Sequence, residues 1–215
     1  LHRGSIILIG NFDGLHLGHQ KLFQLAQSYK KKYNLKIGVV NFDPMPKMFF
    51  NKKLKNFRLS NINQKIKLLS NFKVDFVITK KFDKKFSKTK ALNFISQILN
   101  KKLSSKFIFV SNNFRFGNKR EGNVNLLKRY EQLFNYKVVK PEPLIKSKKI
   151  VSSSLIRNLL EKGLLDKANN LLNRNWTIQG VVKKGRQVGK KIGFPTCNID
   201  IKDYVLAKPG VYSVK

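Results

Sequence analysis

Two histidines in a glycine-rich loop are the residues in this sequence best suited to chemistry. His16 and His19 stand three residues apart, beside Gly14 and Gly18, so on a helix both imidazoles project from one face. The apolar run at residues 5–9 predicts a buried strand before the loop, and a helical pattern follows it. A helix N-terminus offers unpaired N–H groups and a positive dipole end. Imidazoles there can bind phosphate oxygens and stabilise developing charge, and glycine lets the backbone approach a phosphate closely.

Three serines and an arginine form a second phosphate-binding pattern. Ser152, Ser153 and Ser154 precede Arg157. Serine caps a helix N-terminus, and an arginine one turn later offers a planar fork for phosphate oxygens. Capping alone would account for one serine, but not for three hydroxyls and an arginine in this order. A zinc site at the histidines is not favoured, because no third ligand is evident.

Strands alternate with helices along most of the chain, which predicts a parallel sheet covered by helices on both faces. The predicted strands are residues 5–9, 36–42, 75–79, 106–110 and 136–139, and the predicted helices start near 17, 62, 91, 123 and 152. Ligands of such sheets bind beyond the carboxyl ends of the strands. That edge collects the loops at 10–19, 43–46 and 111–117. Pro44 and Pro46 are expected to stop regular structure in the second loop.

The composition is strongly basic, with a formal net charge of +34 over 215 residues. Charge of this size favours nucleic acid or an anionic membrane as a partner. The lysines are spread over the whole length, however, and accompany many asparagines, as AT-rich codon usage would produce. A solvated lysine-rich surface is therefore the preferred interpretation, without specific nucleic-acid or membrane binding. No secretion signal or bilayer-length apolar run is present, so the protein is expected to be cytoplasmic.

The pattern changes after Arg174. Residues 176–182 alternate as a strand does and glycines recur, which predicts the start of a second, all-β domain. Two features suggest a piece of a longer protein: the chain does not begin with Met, and residues 212–215 are typical of the middle of a strand. The single cysteine, Cys197, excludes a disulfide within the chain.

The string Gly-Asn-Phe-Asp-Gly-Leu-His-Leu-Gly-His at 10–19 resembles the HxGH motif of the nucleotidyltransferase superfamily, and specifically its FAD synthase branch. Residues 151–157 resemble that superfamily's second signature, SSTxIR, with Ser154 in place of Thr. The resemblance implies a Rossmann-like domain that transfers AMP from ATP to FMN, with His16, His19 and Arg157 as catalytic residues. The residues it implies for ATP binding are Gly10, Asn11, Phe12, Gly14, Gly18, Ser152, Ser153 and Ser154.

Two further segments resemble the flavin-binding parts of that family. Phe-Asp-Pro-Met-Pro at 42–46 is similar to FEPHP, with Met45 where histidine is usual. Residues 110–117 are similar to VGxNFxFG. The resemblance implies flavin binding by Pro44, Pro46, Phe50 and Asn113. Arg115 would either pair with phosphate or be exposed. The spacing of Arg58, Lys65, Phe82 and Phe86 also fits the family, and these residues are assigned no chemistry.

The segment ending in Gly-Phe-Pro-Thr-Cys-Asn at 193–198 resembles the GFPTAN motif of flavokinases, which have a β-barrel fold. Gly193, Pro195, Thr196 and Asn198 then belong to a kinase site, with Thr196 and Asn198 holding magnesium and ATP. The resemblance divides the chain into an adenylyltransferase domain at 1–172 and the start of a riboflavin kinase domain at 173–215. The kinase carboxylate of the family lies beyond residue 215, so kinase activity is expected of the intact parent and not of this chain.

The reaction implied is FMN plus ATP giving FAD and pyrophosphate, with Mg²⁺ bridging the phosphates. Asp13 would either bind that metal indirectly or orient the loop. Two rivals remain at this point. Other members of the superfamily transfer AMP or CMP to pantetheine phosphate, nicotinate mononucleotide or glycerol phosphate. The charge alone would also suit a non-enzymatic nucleic-acid-binding protein, although no helix-turn-helix, RNP or zinc signature is present.

Overall fold

A computed structural model describes residues 4–185, 193 and 196–214. Its centre is a five-stranded, all-parallel sheet with the order β3-β2-β1-β4-β7. The strands of this sheet are β1 (Ile6–Ile9), β2 (Ile37–Asp43), β3 (Phe76–Lys81), β4 (Phe107–Phe109) and β7 (Lys137–Val139). The predicted parallel sheet is confirmed. β1 lies in the middle because β2 and β4 pair on opposite sides of it.

Helices cover both faces of the sheet. They are α1 (Leu17–Tyr33), α2 (Pro46–Phe50), α3 (Ile62–Ser70), α4 (Lys84–Ser87), α5 (Ala91–Asn93), α6 (Val124–Arg129), α7 (Glu131–Phe134), α8 (Ser153–Glu161) and α9 (Leu165–Leu172). A π-helix at Phe94–Lys102 continues α5, and a 3₁₀ turn lies at Asn118–Arg120. Short antiparallel pairs join β5 (Arg115–Phe116) to β6 (Gly122–Asn123), β8 (Ile145–Lys146) to β9 (Lys149–Ile150), and β10 (Val182–Lys183) to β11 (Asn198–Ile199). None of the helices in the described ranges is both long and apolar enough to cross a bilayer.

The alternation of side chains along β1 divides the core in two. Ile6 and Leu8 face α1 and α3 and pack in a cluster with Phe23 and Leu69. The odd-numbered residues of the strand face the opposite side, where the π-helix and α6 supply the partners. All four residues of β1 are buried, as expected of a central parallel strand. The strand therefore holds the loop that follows it on a rigid base.

Several elements differ from the prediction. β2 ends at Asp43, so Pro44 stops the strand as predicted, but Pro46 starts α2 at the position where a helix needs no N–H from it. The helix predicted at 123–134 breaks at Tyr130 into α6 and α7, and the one predicted at 91–99 becomes π-helical. α9 was not predicted.

The strand predicted at 176–182 is wrong except at its last residue. The backbone there bonds to side chains instead of to a neighbouring strand: the N–H of Trp176 donates to Asn169 Oδ1, and that of Gln179 donates to the Tyr204 hydroxyl. The Trp176 indole donates to the carbonyl of Leu59 at 3.0 Å. This segment therefore packs on the loop before α3.

Residues 203–205 dock beside the same loop. The N–H of Arg58 donates to the carbonyl of Asp203 at 2.8 Å, and the N–H of Val205 donates to the carbonyl of Arg58 at 2.9 Å. The Tyr204 hydroxyl donates to Gln64 Oε1 at 2.6 Å. Val205 joins Leu59 in a third buried cluster with α8 and α9. The predicted kinase segment thus supports the loop that leads into α3.

Candidate active site

The loop at residues 10–19, which contains His16 and His19 and is called the histidine loop below, leaves the sheet at its topological switch point. It follows β1, from which the chain continues to one side with β2 and β3 and to the other side with β4, and the segment after β4 leaves the same edge beside it. A crevice opens at this point in parallel sheets, and ligands bind there. The prediction that the site lies beyond the carboxyl ends of the strands therefore matches the placement of these loops.

His16 and His19 lie together at the start of α1. His16 is the N-cap, and its Nδ1 accepts from the N–H of His19 at 3.3 Å. The two rings stack with centroids 3.7 Å apart. Gly18 makes this possible, because a Cβ there would lie 3.1 Å from the His16 ring and 3.3 Å from the carbonyl of Val151. The glycine admits both the ring and the segment that leads to α8.

Both imidazoles are neutral at physiological pH. The pKa of His16 is lowered to about 4, mainly by burial; a backbone hydrogen bond opposes the shift, and the charges of Arg157 and Arg174 add to it. Burial also lowers the pKa of His19 well below its ordinary value, with contributions from His16 and Lys65. A neutral imidazole carries one N–H, so each ring can donate one hydrogen bond to a phosphate oxygen.

We expect acid to destabilise the fold through His16. Its pKa is about 4 in the folded chain and 6.5 when unperturbed, so the unfolded chain binds more protons between these values and stability falls as pH drops from 6.5 towards 4. The difference corresponds to about 3 kcal/mol. Urea unfolding of wild type and His16→Asn at pH 7 and pH 4.5 measures it. The variant should lose less stability than wild type over this interval; equal losses would contradict the assignment.

Asp13 organises the loop through a buried ion pair. It is 2% exposed, and its Oδ2 accepts from Arg157 Nη2 at 2.6 Å. The same carboxylate accepts the backbone N–H groups of Leu59 and Ser60 at 3.1 and 3.3 Å. The carbonyl of Asp13 accepts from the Ser153 hydroxyl at 2.9 Å. Of the two roles considered for Asp13, these contacts support orientation of the loop.

Arg157 is more constrained than the sequence suggests. Besides the Asp13 pair, its Nε donates to the carbonyl of Phe57 at 2.6 Å, and its guanidinium lies 3.7 Å from the Phe57 ring centroid. The side chain therefore joins α8 to the histidine loop and leaves Nη1 without a hydrogen bond to the described residues.

The three serines have different surroundings. Ser152 is the N-cap of α8, and its hydroxyl accepts from the N–H of Leu155 at 3.2 Å. Ser153 binds the carbonyl of Asp13, and Ser154 is exposed at the first turn. One hydroxyl thus caps the helix, one attaches it to the loop, and one faces solvent.

An aromatic cavity of about 680 Å³ lies beside the histidine loop, and Asn11 lines it. Of the predicted flavin residues, Pro46 and Phe50 line the cavity, whereas Pro44 and Asn113 are not among its lining residues. Its other apolar lining residues are Phe42, Phe82, Phe86, Phe94, Phe114 and Phe116. Four cations also line it: Lys47, Arg115, Lys119 and Arg120. The cavity could hold a planar, negatively charged ligand.

Several buried polar atoms at this edge have no hydrogen-bond partner within the described part of the chain. They are Asn11 Oδ1, His19 Nδ1 and both amide atoms of Asn41. Unpaired buried polar atoms cost free energy and mark places where a ligand or water binds. Asn11 joins the two parts of the site, because it belongs to the histidine loop and lines the aromatic cavity.

The sequence interpretation missed some residues of this site. Lys65, assigned no chemistry, is 1% exposed and lowers the pKa of His19. Phe82 and Phe86 line the cavity. Lys65 could have been noticed from the sequence, because it falls at a buried position of an amphipathic helix and lysine is almost never fully buried unless it is paired. Arg115, left open between two roles, lines the cavity although it is exposed.

The predicted kinase residues form no site of their own in the described part of the chain. Thr196 and Asn198 are exposed, and Asn198 pairs with Lys183 in the β10–β11 ladder. Gly193 adopts a φ of 83°, and Pro195 lies outside the described residues. Within the described ranges, no three His, Cys, Asp or Glu side chains come together to hold a metal.

A parallel sheet with a histidine pair at its switch point and a serine-capped helix facing it defines a nucleotidyltransferase-like domain. Comparison with known proteins makes this specific. The FAD synthetase family profile matches residues 1–155, and the riboflavin kinase profile matches residues 172–215. The chain belongs to the FAD synthetase family.

Curated relatives agree over the whole chain. A bifunctional riboflavin kinase/FMN adenylyltransferase of Buchnera aphidicola (Schizaphis graminum strain) is 40% identical over 216 residues, covering 100% of this chain and 69% of the relative. The protein of the same name from Escherichia coli K12 is 35% identical, with 99% of this chain and 68% of the relative covered. The crystal structure of a protein named as a macrolide-efflux protein of Streptococcus pneumoniae superposes with a TM-score of 0.83 at 27% identity, covering 99% of this chain and 69% of that one.

Proposed function

We propose that this chain transfers AMP from ATP to FMN, and that the domain boundary lies at residue 172. The observation that carries the proposal is the junction at Asn11, where a phosphate-binding loop with two neutral histidines meets a cavity lined by phenylalanines. ATP and FMN need such neighbouring sites, because the phosphate of one must approach the α-phosphorus of the other. The family relationship supports the same reaction.

In the proposed reaction, a phosphate oxygen of FMN attacks the α-phosphorus of ATP in line. The bond from that phosphorus to the bridging oxygen breaks, and pyrophosphate leaves with the electron pair. Positioning and charge stabilisation make up most of the catalysis of phosphoryl and nucleotidyl transfer. His16 and His19 would donate hydrogen bonds to the α-phosphate. Arg157 Nη1 and the N-terminus of α8 would bind the departing pyrophosphate.

The aromatic cavity would hold the isoalloxazine ring of FMN. Flat rings stack on aromatic side chains, and Phe50 presents a 69% exposed ring at the cavity wall. Arg115 and Arg120 would attract the FMN phosphate. Roles for Pro44 and Asn113 in flavin binding remain predictions, since both side chains lie outside the lining.

Magnesium would arrive with ATP. Asp13 and Asp43 are the carboxylates of the histidine loop and the 43–46 loop, and each pairs with an arginine, at 2.6 and 2.8 Å. The protein thus offers few free oxygens, which fits a Mg²⁺ ion bound mainly by phosphates and water. Riboflavin phosphorylation would belong to the longer parent, in which Thr196 and Asn198 would hold ATP and magnesium. Location in the cytoplasm stays a prediction.

Two of the rival acceptors fit less well. Pantetheine phosphate and glycerol phosphate have no flat ring to occupy a cavity of six phenylalanines besides Phe50, and the assay below separates nicotinate mononucleotide, which has one. Nucleic-acid binding driven by charge alone would not require a buried and a partly buried histidine, both neutral, at a strand end.

The decisive assay is FAD formation from ATP, Mg²⁺ and FMN, followed by chromatography. Wild type should make FAD and pyrophosphate from FMN, and no product from pantetheine phosphate, nicotinate mononucleotide or glycerol phosphate. Phe50→Ala should raise the KM for FMN about tenfold, the effect of losing one stacking ring, and leave the KM for ATP unchanged. Leu133→Ala, equally exposed at 70% but on α7, is the matched control. Product from another acceptor, with none from FMN, would refute the proposal.

A further inference from the structure

Lys65 is a buried cation for which the fold provides no ion pair. It lies on α3, whose N-terminus is fixed by a capping box between Asn61 and Gln64. The residue is 1% exposed, and its ammonium group makes no ion pair with any carboxylate in the described part of the chain. A buried ammonium without a partner is costly, so such a residue needs a compensating role.

The carboxylates near Lys65 are already occupied. The charges of Asp13 and Asp43 act on Lys65 and partly oppose the lowering of its pKa by burial. Asp13, however, is bound to Arg157 at 2.6 Å and to two backbone N–H groups, and Asp43 is bound to Arg58 at 2.8 Å. Both carboxylates thus already pair with an arginine, and neither forms an ion pair with Lys65 within the described ranges.

Unpaired polar atoms lie around the same place. The pKa of His19 is lowered mainly by burial and also by the charges of His16 and Lys65, and its buried Nδ1 has no partner among the described residues. Asn41 has two unpaired amide atoms, and it lies on the same face of β2 as Val39, which packs in one cluster with Leu69 of α3. Leu69 follows Lys65 by one helical turn. The Lys65 ammonium therefore lies close enough to His19 to act on it electrostatically, and the Asn41 amide is on the face of β2 that packs against α3.

We propose that the Lys65 ammonium binds the polyphosphate of ATP beside His19, as a further residue of the adenylyl-transfer site. The identification of the anion as the nucleotide's polyphosphate rests on the proposed function. Arg157 and Lys65 then approach the phosphates from α8 and α3. The negative charge of the polyphosphate would pair with Lys65, for which the described part of the chain provides no carboxylate partner. A desolvated ammonium interacts strongly with phosphate because little water screens the pair.

The test is calorimetric titration of the full chain with ATP, with inorganic pyrophosphate and, separately, with FMN. Lys65→Met should weaken ATP and pyrophosphate binding at least tenfold and leave FMN binding unchanged. Lys67→Met, exposed on the same helix, should bind all three as wild type does. Lys65→Met should also keep or raise the Tm, because it removes an unpaired buried charge. Lys65→Gln provides a second neutral variant should the methionine fail to fold.

Affinities for ATP and pyrophosphate within twofold of wild type in either neutral variant would overturn the proposal, and a simultaneous fall in Tm would mark Lys65 as purely structural. Loss of FMN binding alone would assign the lysine to the other substrate and overturn it too. These results are separable from the proposed function. A wild type that makes no FAD but binds pyrophosphate through Lys65 would refute the acceptor and retain the lysine's role.

Discussion

Replacing His19 with alanine is expected to lower the kcat for FAD formation about 100- to 1,000-fold, the effect of losing one preorganised hydrogen-bond donor to a reacting oxygen. The KM for ATP should change little, because the donor acts mainly on charge that develops in the transition state. The ring stacks on His16 at 3.7 Å and leaves Nδ1 unpaired in the free protein. Its removal should therefore cost little stability.

Steady-state kinetics with FMN and ATP, together with thermal unfolding, measures both effects. Lys21→Ala is the matched control, since Lys21 is exposed on α1 two residues after His19. His19→Gln keeps an N–H donor and should recover part of the lost rate. A rise in the KM for ATP at unchanged kcat would show that His19 only binds ATP in the ground state. An unfolded His19→Ala protein would show that the role of His19 is structural.

Much of the site could be predicted because its residues lie in short sequence motifs. The histidine loop, the serine–arginine helix start and the strand–helix alternation are local patterns, and each depends on residues within one element and the turn next to it. The structure places the loop after β1 and the serines at the N-terminus of α8. Parallel topology follows from the alternation, since a parallel crossover needs a helix between its strands.

The long-range contacts could not be predicted in the same way. Asp13 and Arg157 are separated by 144 residues, and either side chain alone suggests solvent, metal or phosphate as its partner. The burial of Lys65 depends on α3 packing against β2, which only the folded chain shows. Tryptophan is common in strands, but Trp176 is held on the loop before α3 by the hydrogen bond from its indole to the carbonyl of Leu59. The secondary-structure propensity of a residue does not indicate which distant residue it will contact.

The pair formed by Asp13 and Arg157 should dominate the stability of the site. Both side chains are nearly inaccessible, at 3% and 10% exposure, so removing one charge leaves the other buried without a partner. We expect Asp13→Asn and Arg157→Met each to lower the free energy of unfolding by about 3–5 kcal/mol. Denaturant unfolding of each variant measures this.

The double variant separates the ion pair from packing. Asp13→Asn with Arg157→Met removes both charges, so it should be no less stable than either single variant, giving a coupling free energy of at least about 3 kcal/mol. Additive losses would show that each side chain stabilises the fold on its own, Asp13 through the Leu59 and Ser60 amides and Arg157 through Phe57. The double variant should still lack FAD synthesis, because the loop's attachment to α8 and the Nη1 donor are both lost. A folded double variant with wild-type turnover would remove Arg157 from the mechanism and leave it only a structural role.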